Sequence, residues 1–221
     1  MLACLGATAL WAQEANVHYL HHGVMPPGAI GSQQLQRGGP LSGFFQPVEI
    51  KAPAGASISL AVSNAFDDGA AAPRRVGLLI GSVYRLRVTN IPQAEGLEVF
   101  PSIEVIDRLY TPTEQQQRFA VPIELTRDEL QMAIDGKFVT RVIYLEDPLR
   151  ALPVRSDPQA QSWFEVGPGR DPLAVADALG RPVAILRLGG RLPDQGPDPT
   201  FFYGSPPFVQ FPPPASFQGT R

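Results

Sequence analysis

The clearest pattern in the chain is the alternation Val83-Tyr84-Arg85-Leu86-Arg87-Val88-Thr89. Tyr84, Leu86 and Val88 share one face and Arg85, Arg87 and Thr89 the other, which predicts a strand with a dry side and a wet side. That is the habit of antiparallel sheets. Val48-Glu49-Ile50 and Ile58-Ser59-Leu60-Ala61-Val62 alternate on either side of Ala54-Gly55, a combination that predicts a hairpin. Asn64 to Pro73, rich in Asp, Gly and Ala, reads as a loop, and the apolar run Val76 to Ile80 as a buried strand. Leu97 to Phe100 and Ile103 to Asp107 continue the β pattern across Pro101. Proline donates nothing to a ladder, so this stretch is either an edge strand or one bent at Pro101. Phe119 to Leu125 and Phe138 to Leu145 are further strand candidates.

Helical signals occur twice. Thr126-Arg127-Asp128-Glu129 is a capping box, Leu125 and Leu130 are spaced as a hydrophobic staple, and Gly136 supplies a left-handed stop. At 172–179, Asp171 caps, Pro172 occupies the first turn and Gly180 ends the run. Pro182 to Leu188 returns to strand. Seven to nine strands with two short helices and no βαβ rhythm predict a mainly β fold. The expected architecture is one antiparallel β-sandwich over 44–193, immunoglobulin-like or transthyretin-like, with two connecting helices.

The ends differ from this middle. Residues 1–12 are apolar and break into Gln13-Glu14, as a signal-peptide remnant with Ala12 at the cleavage position would. No Lys or Arg precedes the run, so the expectation is either a true start upstream of Met1 or a tolerated weak leader. Leu2-Ala3-Cys4 is similar to the end of a lipobox, but the apolar run continues past Cys4. Residues 13–43 read as an extended Gly/Pro-rich arm, and 194–221 as a disordered Pro/Phe-rich tail. The leader is shorter than the roughly 20 residues a bilayer span needs, so no transmembrane span is expected in the mature chain. The expected location is secreted, periplasmic or elsewhere in the cell envelope.

Charge narrows the partners. Only 18% of residues are charged and the net charge is −3, with both signs scattered, which offers no footprint for nucleic acid. The only cysteine, Cys4, sits in the leader, so the domain must hold together by its core without a disulfide.

Candidate chemistry is sparse. His18, His21 and His22 are all the histidines present, and a helical turn would bring them to one face as zinc or copper ligands. Against that, they lie in the arm with no carboxylate nearby to orient them. The domain itself has neither histidine nor cysteine, which removes the usual general base and the nucleophile pairings that depend on it. Asp67-Asp68-Gly69 begins like a calcium loop, but Ala70, Ala71 and Ala72 occupy the next ligand positions. Gly167-Pro168-Gly169-Arg170 and Gly189-Gly190-Arg191 match no phosphate-binding pattern, and no cofactor is expected. Arg85 and Arg87 on the wet face would dock a carboxylate or glycan, or else pair with cross-strand carboxylates such as Glu98 or Glu104. Trp163 and Phe164 are candidates for stacking on a sugar, and the tail aromatics Phe201, Phe202, Tyr203, Phe208, Phe211 and Phe217 for packing back or partner capture.

The segments Gly81 to Pro92, Val99 to Arg108, Val121 to Thr126 and Val139 to Pro148 together resemble an uncharacterised family of secreted proteins from planctomycete-type bacteria. The resemblance spans about Phe44 to Pro193 and implies export and a single domain, without an activity. Gly81 with Tyr84, Leu86 and Val88 is also similar to carboxypeptidase-regulatory or transthyretin-like sandwiches. These readings favour a non-catalytic exported envelope protein that binds or scaffolds a protein or glycan partner. The alternative is a metal-binding protein or metal-dependent enzyme built on the histidine cluster.

Overall fold

The computed structural model of the chain describes residues 26–150, 161, 163, 165–167, 169–189, 192–193 and 200–211. The expected leader, Cys4, the histidine cluster and the last ten residues lie outside them.

The described chain is mainly β, with eleven strands in two sheets. The first sheet holds β1 (Phe45–Lys51), β5 (Arg74–Leu79), β8 (Val121–Glu124) and β11 (Phe208–Gln210), in the order β11-β5-β1-β8. The second runs β3 (Ala65–Phe66), β2 (Ser57–Val62), β6 (Val83–Thr89), β7 (Ser102–Val105), β10 (Gly180–Leu188) and β9 (Val139–Glu146), with β4 (Ala70–Ala71) also on β2. Every pairing is antiparallel except β1 with β8.

The core lies between the sheets. Val48, Ile50, Val76, Leu78 and Ile123 from the first meet Ile58, Leu60, Tyr84, Leu86, Ile103 and Leu186 from the second, all buried. β6 shows the strict alternation its sequence predicts, with Tyr84, Leu86 and Val88 buried and the residues between them half-buried. The bend at Pro101 is also present. Val99 bridges Val88, β7 begins only at Ser102, and β7 then runs between β6 and β10 rather than at an edge.

The expected hairpin is not formed. Gly55 has φ 95° and the Ala56 amide donates to the Pro53 carbonyl, so a turn exists there. It carries the chain from one sheet to the other, however. β1 pairs with β5 and β8, and β2 with β3, β4 and β6. Alternation specifies which face is dry, and two faces dry toward each other satisfy it as well as two neighbours in one sheet. The expected loop at 64–73 likewise contains β3 and β4, two short edge segments along β2.

Helix α2 (Arg127–Ile134) carries the capping box, with the Glu129 amide donating to Thr126 Oγ1 and the Thr126 amide to Glu129 Oε2. Leu125 and Leu130 are both buried. Helix α3 (Pro172–Leu179) is capped by Asp171, which accepts from the Leu173 amide at 2.9 Å. Gly180 ends it in extended backbone that leads directly into β10.

Two expectations about the ends need correction. Within the segment read as an extended arm, residues 29–36 form helix α1 (Ala29–Gln36), whose Ile30 packs with Ile106 and Ile185 on the outer face of the second sheet. Within the segment read as a disordered tail, α4 (Thr200–Tyr203) and β11 pack on the domain. Phe202 is buried against Phe66 and Phe100, and β11 adds an edge strand to β5.

Candidate functional site

A cleft of about 550 Å³ opens where the chain crosses from β4 to β5 and meets the end of β11. Glu49, Asp67, Asp68, Arg74, Arg75 and Phe211 supply its chemistry. Its shape follows from three local choices. Asp67 sits in the gap between β3 and β4 and accepts from the Leu60 and Gly69 amides, substituting for ladder bonds that the two short strands do not make. Arg74 opens β5 and reaches back to the Ile58 carbonyl at 2.9 Å. Gly77 lets the Phe211 ring lie on β5, since a Cβ there would stand 3.1 Å from the ring.

The charges in the cleft are mutually committed. Arg74 donates to both oxygens of Asp67, at 3.0 and 2.5 Å, in the planar fork that suits a carboxylate. Burial alone would raise the Asp67 carboxyl. The Arg74 hydrogen bonds, the Leu60 and Gly69 amides and the Arg74 charge together outweigh it and hold Asp67 below its ordinary value. Glu49 lies across from Arg75 on the neighbouring strand and accepts from its Nε at 2.9 Å, with Lys51 at 3.8 Å. The calcium-loop possibility fails for the same reason: Asp67 is spent on a guanidinium. Asp68 and Gln210 are exposed and Phe211 is half-buried, so these present the contact surface.

Arg85 and Arg87 do not converge on a site with Glu98 and Glu104. Arg87 faces Glu98 at 3.8 Å and stacks over Phe66, as a cross-strand pair would. Arg85 stacks over Phe202 at 4.7 Å. Glu104, on the same outer face as Arg85, is fully buried and engaged by β10 and α1: Oε2 accepts from Arg187 Nη1 at 2.9 Å and Oε1 from the Gly31 amide at 2.8 Å. Gly31 lies in the first turn of α1, whose N-cap Gly28 offers no side chain. Glu104 therefore supplies, from 73 residues away, the acceptor that a local cap would otherwise provide.

His18, His21 and His22 lie outside the described residues, as does Phe164. Among the described residues, no three His, Cys, Asp or Glu side chains are grouped as metal ligands. Trp163 is exposed. No described helix is long and apolar enough to cross a membrane.

Compared with models of known protein families, with curated proteins and with solved structures, the chain matches none.

Proposed function

We propose that this chain is a non-catalytic binding or scaffold protein of the cell envelope that takes its ligand at the cleft between β4, β5 and β11. The observation that carries this reading is the Asp67–Arg74 fork. General acid–base work needs a carboxyl poised to change protonation near the working pH. Here the carboxyl at the floor of the cleft is pushed the opposite way and held by four donors. Glu49 is similarly engaged by Arg75. What remains for a ligand is recognition: the Phe211 ring, the Gln210 amide and the Asp68 carboxylate, above an ion-paired floor. That combination suits a polar, near-neutral ligand with one apolar face, such as a sugar unit of an envelope glycan.

Export rests on the apolar leader at 1–12, and scaffolding on how the C-terminal segment completes the fold. The test is fractionation of producing cells. Wild-type chain is expected in the envelope fraction, and an Asp68→Ala/Gln210→Ala variant is expected to shift several-fold toward the soluble exported fraction. Both positions are exposed, where substitutions ordinarily change stability by no more than about 0.5 kcal/mol. Equal retention of the variant contradicts the cleft assignment.

A further inference from the structure

Polar side chains line up on the outer face of the larger sheet. Residues directly opposite one another on neighbouring strands share a face, so the register Arg85↔Ser102, Ser102↔Arg187 and Arg187↔Thr140 places four polar side chains in one row across β6, β7, β10 and β9. Arg187 is only 4% exposed. Its Nη1 is held by Glu104, while Nε and Nη2 are buried and hydrogen-bond to no described residue. The adjacent Thr140 Oγ1 is likewise buried without a described partner.

These are not arbitrary atoms. Nε and Nη2 form the side-on edge of a guanidinium, two parallel N–H donors at the spacing of two oxygens on one carbon or phosphorus. A buried donor left without an acceptor destabilises the fold, and this edge has two. The Glu104 carboxylate neutralises Arg187 through its other nitrogen, so it fixes the guanidinium without covering the fork. Thr140 faces Arg187 across one strand spacing and adds a hydroxyl donor. Arg85 brings a second positive charge to the same row, its guanidinium held against Phe202.

We propose that the Arg187 fork and Thr140 Oγ1 form a binding site for a small oxyanion, of carboxylate or phosphate type. The three donor atoms are fully buried, so the anion's oxygens reach them only when the side chains packed over the row give way. This site lies apart from the cleft and does not depend on the function proposed there.

The test is titration of the full chain with acetate and, separately, inorganic phosphate at constant ionic strength, followed by the amide and Arg Nε–H resonances. Wild-type chain is expected to show saturable one-to-one binding of at least one anion, with the Arg187 Nε–H shifting most; which anion binds identifies the source. Thr140→Val is expected to weaken binding about tenfold, the value of roughly one hydrogen bond to a charged group. Arg187→Lys keeps a cation against Glu104 but loses the fork, and is expected to abolish saturation. Thr140→Val removes only a hydroxyl, so it remains informative if Arg187→Lys does not fold. Absence of saturable binding of both anions, showing that the groups meet solvent only, overturns the proposal. So does binding that survives either substitution unchanged.

Discussion

The Tyr84 hydroxyl donates to the Pro207 carbonyl at 2.7 Å, joining a core residue of β6 to the C-terminal segment 123 residues later. The same oxygen accepts from the Leu79 amide at 2.8 Å, at the end of β5. One buried phenol thus closes the sandwich between its two sheets and fixes the approach of β11, which begins at Phe208. The ring belongs to the core and the hydroxyl to the seam, the usual division of labour for a buried tyrosine.

Replacing Tyr84 with Phe keeps the ring and removes both bonds. The expected cost is about 1–3 kcal/mol in denaturant unfolding, because the Leu79 amide loses its acceptor. The C-terminal segment should also become cleavable near Pro207 at protease levels that leave wild type intact. Unchanged stability and unchanged cleavage would show that β11 is held by its ladder alone.

Burial raises the Tyr84 hydroxyl to about 12, despite the opposing hydrogen bond from Leu79. An acid whose folded value lies above its unfolded value of about 10 contributes stability that is complete below pH 10 and lost as pH rises toward 12. Alkaline denaturation should therefore steepen in that window, and Tyr84→Phe should flatten it. Absorbance at 295 nm with parallel circular dichroism reads both.

At the acid end, Asp67 is held below its ordinary value. A depressed carboxyl contributes stability that is present above the unfolded pKa, near 4, and lost as pH falls through the folded one. Asp67→Asn should lower stability at pH 7, where the Arg74 charge loses its partner, and should shrink the difference from wild type as pH falls below 4. Urea midpoints measured from pH 7 to pH 2 decide it.

How much of this was legible in the chain depends on whether a signal was local. β6, the bend at Pro101 and the two capped helices follow from spacing within a few residues, and the Arg87–Glu98 pair from strand neighbours. Helix α1 was not legible, because its first-turn amide is satisfied by Glu104 rather than by a neighbour in sequence. The tail misled for a related reason. Three residues of β11 and one buried aromatic, Phe202, are weak signals until β5, Tyr84 and the Phe66–Phe100 pair are placed around them. Nor does the cleft show in the sequence: Glu49 and Arg75 meet because β1 pairs with β5, and Asp67 joins them through Arg74 at the start of that strand.

The buried Glu104–Arg187 pair makes a sharper energetic test. Glu104→Gln leaves Arg187 without its counter-charge in the interior and should cost about 3–5 kcal/mol, the range for breaking one side of a buried pair. It should also loosen α1, read as faster hydrogen exchange over residues 31–36. Replacing both residues, Glu104→Gln with Arg187→Met, should recover most of the stability but not the protection of α1, since the double variant no longer holds a charge against the Gly31 amide. Equal cost in single and double variants would show that the ion pair itself dominates.

The claim on which the functional account stands is that the cleft beside Phe211 meets an envelope component. The most direct measurement places a photo-cross-linking residue at exposed Gln210 in the full chain, with a control at exposed Glu95, and irradiates intact producing cells. One discrete cross-linked envelope species is expected from position 210, absent from position 95 and reduced several-fold by Asp68→Ala. Equal cross-linking from both positions, or none from position 210 in a chain shown to be exported, contradicts it.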